Sequence, residues 1–137
     1  MWDTEIIPNE DHLFYRLHKS FIVDGEVLPG AFQERGEGEQ RGMSTDWEKY
    51  STADEALLRS KNPAENGIVV FAAGEIRSVA SLEVAYTPLH DNHAHSHIKG
   101  IPQEKQLKTQ ARFLLKRLFK WRIEPENVDL TKNRWNF

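Results

Sequence analysis

The chain has 137 residues, 28% of them charged and 39% hydrophobic, with a formal net charge of −3 and no cysteine. That balance describes a single globular domain with enough core to need no covalent staple, and it excludes disulfides and thiolate metal sites. No apolar run approaches the roughly 18 residues of a spanning helix, and residues 1–12 lack the charged and apolar regions of a secretory signal, so a cytoplasmic protein without a membrane partner is expected.

Residues 1–12 are acidic and irregular, broken by Pro8. Leu13–His18 alternates as a strand, with Leu13, Tyr15 and Leu17 on one face and Phe14, Arg16 and His18 on the other. Phe21–Val23 and Glu26–Leu28 flank Asp24-Gly25, whose residue types suit the positive φ angles of a tight hairpin turn. Residues 33–42 carry three glycines, three glutamates and two arginines with no hydrophobe, which predicts a mobile surface loop. Ser44, Thr45 and Asp46 follow as a polar lead-in to a short helix over about 53–60, whose start is marked by the capping pair Thr52 and Glu55. Its buried side is expected to be Ala56, Leu57 and Leu58. Ile68–Ala73 is the most apolar run and predicts a central strand covered on both faces. Gly74-Glu75 turns it, Ile76–Val79 leads on, and Leu82–Tyr86 reads as a further strand. The short connections predict that these runs pair antiparallel with one another.

Residues 81–100 hold four of the six histidines: His90, His93, His95 and His97. If the chain resumes as a strand from His93, then His93, His95 and His97 share a face. Alternate residues on a strand lie about 6.6 Å apart. Two neighbouring imidazoles could therefore share one ion at the Zn–N distance of about 2.0–2.1 Å, whereas three in a row span too far. The metal question stays open, and no cofactor is identifiable.

The last element, a helix over about 103–122, has Leu107, Ala111, Leu114 and Leu118 on one stripe, widened by Leu115 and Trp121. Lys105, Lys108, Arg112, Lys116 and Lys120 occupy the other side. Residues 99–122 carry a balance of +7 and the remainder −10, so Arg112, Lys116 and Lys120 are candidates for contact with a protein partner. The pI of about 6.1 argues against a dedicated nucleic-acid binder, though the basic face keeps that reading in view. Residues 127–137 form a tail with Trp135 and Phe137, expected to dock back on the domain. The architecture expected is α+β: a mainly antiparallel sheet of about five strands, a short helix, and a long C-terminal amphipathic helix on one face.

For chemistry, Arg16, His18 and His95 are the catalytic candidates, with Ser44, Asp46 and His93 as ligand-binding ones. Arginine holds phosphate or carboxylate in bidentate fashion, and histidine serves as general acid or base. The expectation is geometric: Arg16 and His95 share one pocket. A site of this kind would bind or act on a phosphate-bearing or nucleotide ligand. The competing function class is a non-enzymatic interaction module working through the basic helix. The order LFYRLH, VDGEVLPGAF, GMSTDWEKYSTADE and LEVAYTPLHDNHAHSHIKG resembles a set of small uncharacterised prokaryotic proteins, over about residues 13–100. The matching positions are Tyr15, Arg16, Asp24, Gly25, Phe32, Ser44, Asp46, Asn92 and His95, and the resemblance implies no particular activity. His93 and His97 depart from that pattern. A looser likeness is to ADP-ribosyltransferases, with Arg16 on an early strand and Ser44-Thr45 before a helix, and it implies that Glu83 fills the role of their catalytic glutamate.

Overall fold

Six strands form one antiparallel sheet, in the spatial order 83–86, 95–99, 43–47, 12–18, 66–72 and 120–123. The computed structural model describes residues 2–130, so the expected docking of Trp135 and Phe137 lies outside the described residues. Strand β1 (His12–His18) is followed by a separate two-stranded hairpin, β2 (Ile22–Val23) and β3 (Glu26–Val27). Asp24 and Gly25 at its tip have φ of 53° and 80°, as the Asp-Gly pair predicts. Next come β4 (Met43–Trp47), helix α1 (Ala53–Leu58) and β5 (Asn66–Ala72). Helix α2 (Ala73–Arg77), β6 (Glu83–Tyr86) and β7 (His95–Lys99) lead to α3 (Lys105–Leu118) and β8 (Lys120–Ile123).

The α+β class and the antiparallel sheet are as expected, but the main sheet has six strands, not five. The C-terminal helix is 14 residues long and stops at Leu118. Beyond Phe119 the chain turns extended, because Trp121 fits the sheet beside Val69 better than it would extend a helical stripe. Residues 43–47, expected as a polar lead-in, are instead a strand between β1 and β7. Ile76–Val79 does not continue a meander, because residues 73–77 coil into α2. That helix carries the chain across the sheet, so β5 and β6 end up near opposite edges instead of pairing.

Side chains alternate across the sheet and give it two unlike faces. One face presents Leu13, Tyr15 and Leu17 of β1, Met43 and Trp47 of β4, and Val69 and Phe71 of β5. These pack with Phe32, Ile98 and Leu115 of α3 into the main core. The rings of Phe71 and Phe119 meet Phe32 at 6.0 and 5.9 Å. The other face is covered by α1 over Phe14 and Ile68, through Ala53 and Ala56. The expected capping box at Thr52 and Glu55 is present in both directions, while Leu58 points outward. Residues 33–42 are tied down more than their composition suggests. Arg35 bridges Gly42, and the Glu34 carboxylate accepts the backbone N–H groups of Gly100 and Ile101.

Candidate functional site

The ladder between β1 and β4 pairs Leu13 with Trp47 and Phe14 with Asp46, then stops. On its far side β1 stays paired with β5 along its whole length. Past Phe14 the two central strands therefore splay, and a cavity of about 390 Å³ opens at the split. Tyr15, Arg16, Leu17 and His18 form one wall and Ser44 stands on the other, with Ala31, Gln33 and Arg35 closing one end and Lys61 and Asn66 the other. Paired antiparallel residues alternate in the direction of their backbone groups. Since Phe14 pairs toward β4 and Trp47 donates to Ala94 on the β7 side, the N–H groups of Arg16 and Ser44 face the split.

Asp46 and Ser44 lie on the same face as Phe14 and Arg16, because Phe14 and Asp46 are register partners. Asp46 in turn pairs with His95, and Ser44 with His97. Arg16, His18, Ser44, Asp46, His95 and His97 thus share one face of the sheet. Asp46 is completely buried beneath it. Its Oδ2 accepts from Nη1 of Arg16 at 3.0 Å and Nη1 of Arg59 at 2.8 Å. Its Oδ1 accepts from the Asn92 side-chain amide at 2.8 Å. Arg16 also donates through Nη1 to the carbonyl of Ala56, which fixes the guanidinium at the edge of the cavity. A buried carboxylate so fully engaged is a positioning group for Arg16, not one open to a ligand.

His95 is buried, with Nδ1 2.8 Å from the carbonyl oxygen of Thr87. The Thr87 hydroxyl lies 3.1 Å from the same nitrogen. A carbonyl only accepts, so the Thr87 contact is a hydrogen bond in the tautomer with its proton on Nδ1, which presents Nε2 as the acceptor. That Nε2 lies 3.4 Å from the Ser44 hydroxyl. His97 packs edge-on against His95, with ring centroids 4.8 Å apart. Burial, reinforced by neighbouring His95 and Lys99, pushes the His97 imidazole down to about 4. His18 accepts the Ser20 N–H at Nδ1, while its Nε2 lies 3.3 Å from Glu65. Burial raises the Tyr15 phenol, whose hydroxyl donates to the Ala31 carbonyl at 2.6 Å.

The three-histidine face expected for 93–97 is not formed. Strand β7 begins at His95, and His93 crosses to the other side of the sheet. There its ring stacks on Tyr50 at 3.7 Å and on Trp2 at 3.9 Å, within the aromatic group around Trp47 and Tyr86. Asp91 and Asn92 turn the chain, and the Asn92 amide is spent on Asp46, so the alternation restarts after them. Among the described residues no cluster of three or more His, Asp or Glu side chains could hold a metal. Glu83 stands exposed on edge strand β6, with β7 and β4 between it and β1, and is not a cavity residue. On α3, Arg112 donates to the Phe32 carbonyl at 2.9 Å and Lys116 to Glu26 at 3.3 Å, so both hold the helix to its own domain. Lys120 lies exposed on β8, not on the helix.

Sequence reasoning missed Arg35, Lys61 and Arg59. Arg35 sits in a glycine-rich segment and Lys61 follows α1, where a lone cation carries no periodic signal. Arg59 directly follows the last residue of α1 and reaches back to Asp46, a contact no local spacing encodes. Tyr15 was read as a strand-face residue and Asn92 as a turn residue, and both as members of the motif order, but neither with its part in the site.

No family model, no curated protein and no solved structure matches the chain. Among the described residues no helix is long and apolar enough to cross a membrane.

Proposed function

We propose that the split between β1 and β4 binds a small ligand through a phosphate group. The observation that carries this reading is the charge of the cavity wall. It includes Arg16, Arg35 and Lys61 and no carboxylate, in a chain whose net charge is −3. Among the described residues neither Arg35 nor Lys61 is paired with an acid. Cations gathered at a concave wall with inward backbone N–H groups favour an anion with several acceptor oxygens. The volume lies at the low end of the roughly 300–1,000 Å³ of small-molecule sites. That size suits one sugar or nucleoside carrying a phosphate better than a dinucleotide or a polymer.

The test is calorimetric titration of the full chain with inorganic phosphate and with a nucleoside monophosphate. The variants are Arg35→Gln and Lys61→Gln, alone and combined. These two exposed residues are preferred to Arg16, because removing one partner of a buried ion pair costs about 3–5 kcal/mol of stability. A charge-assisted hydrogen bond contributes about 1.5–3 kcal/mol, so the double variant is expected to bind at least about tenfold more weakly. Binding by the parent that the double substitution leaves unchanged, or no binding at low ionic strength, refutes the proposal.

A further inference from the structure

We propose that Ser44 is a nucleophile activated by His95, and that the cleft hydrolyses a phosphate monoester through a phosphoserine intermediate. This rests on the phosphate-binding reading of the same cleft and adds a reaction to it. Three observations meet at one point. Ser44 lines the cavity that holds the cations. Its hydroxyl lies 3.4 Å from Nε2 of His95. Nδ1 of that ring meets the Thr87 carbonyl at 2.8 Å, a contact that favours the Nδ1-H tautomer and turns Nε2 toward Ser44 as an acceptor. A nucleophile, a base within reach and a third group orienting the base are the parts that covalent catalysis requires.

The separation is longer than a strong O–H···N hydrogen bond. Catalytic hydrogen bonds of this kind commonly tighten when substrate binds. His97 supports the base, since its ring meets His95 edge-on at 4.8 Å in a pocket that excludes water from that side. Across the split, Arg16 is held by Asp46 and lines the cavity, where its guanidinium can take the equatorial oxygens of a phosphoryl group in transfer.

The steps balance without a further reactant other than water. Ser44 Oγ forms a bond to phosphorus as the bond from phosphorus to the ester oxygen breaks. The hydroxyl proton passes to Nε2 of His95 and from there to the departing alkoxide, which leaves as an alcohol. Water then attacks the phosphoserine and gives its proton to Nε2. The Oγ–P bond breaks, the proton returns to Ser44, and inorganic phosphate departs. No redox change occurs.

The experiment incubates the full chain with p-nitrophenyl phosphate and, separately, with a fluorophosphonate serine probe. Nitrophenolate release is followed, and acid-quenched samples are mapped by mass spectrometry. The expected result is turnover, with phosphoryl or phosphonyl mass on the peptide containing Ser44. Ser44→Ala should lose both signals while still binding inorganic phosphate, which also shows that it folds. His95→Asn should slow turnover by about 10²–10⁴-fold, the range of a general base. Intact phosphate binding with neither turnover nor a Ser44 adduct overturns the nucleophile and leaves the binding reading standing. Turnover that survives Ser44→Ala overturns it equally. Absence of phosphate binding itself refutes both readings.

Discussion

His97 shows how one buried ring can set a pH limit on the fold. It is 5% exposed, and its Nδ1 has no hydrogen-bond partner among the described residues. Burial first, then His95 and Lys99, holds its folded value at about 4, below the ordinary 6.5, while Glu34 acts in the opposite sense. Between those values the unfolded chain binds a proton that the folded chain refuses. The contribution is therefore fully present above about pH 6.5 and disappears as the pH falls through about 4. A difference of this size corresponds to about 3 kcal/mol. Urea denaturation at several pH values from 7 to 4 should show the parent losing stability steeply over that window. His97→Gln should flatten the curve by most of that amount, and parallel curves for the two proteins would contradict the assignment. Arg16 and His95 fall on one face of the sheet, but His95 is not among the residues lining the cavity beside Arg16. The cations at Arg35 and Lys61 could not be placed beside the cavity from sequence, since nothing but tertiary folding brings two separate connecting segments beside a strand.

At the scale of elements, the pairing of β4 with β7 depends on a missing side chain. A Cβ added at Gly42 would stand 2.8 Å from Cγ and 2.9 Å from Cβ of His97, too close for the ring to stay in place. Gly42 thus lets the 33–42 segment close over His97 through its bridge to Arg35. Gly42→Ala should cost about 1–3 kcal/mol by overpacking. In a His97→Gly background most of that cost should vanish, because both the ring and the Cβ that a side chain at 42 would strike are gone. A double-mutant cycle read by urea denaturation should give a coupling of more than about 1 kcal/mol; strict additivity would show that the glycine serves its own backbone instead. Elements with strong local chemistry were legible: the Asp-Gly hairpin, the Thr52 capping box and the Leu13–His18 alternation. β4 was not, because Met43, Thr45 and Trp47 alternate over only five residues and two polar side chains interrupt them. The place of β6 was illegible for another reason. Short connections favour neighbours, but the five residues of α2 redirect the chain to the far edge.

On the scale of the whole molecule, the cavity opens where β1 ends and β5 begins, while α2 follows the last residue of β5. Seven residues of strand separate the two by about 23 Å. Helix α3 stands in a different relation to the site. Its Arg112 holds the Phe32 carbonyl, and Phe32 lies between Ala31 and Gln33, both of which line the cavity. Two substitutions should therefore separate stability from binding. Ile76→Ala removes a fully buried side chain from α2 and should cost about 2–5 kcal/mol. Its phosphate affinity should match the parent under conditions where both are folded. Arg112→Ala removes one hydrogen bond to a carbonyl, about 1.5–3 kcal/mol for a charged donor. It should also weaken phosphate binding several-fold by loosening the 31–33 wall, although Arg112 itself is no cavity residue. Thermal melts paired with calorimetric titration of both variants read the two effects independently. Equal affinities in the parent and Arg112→Ala would mean that the helix props the core without shaping the cleft.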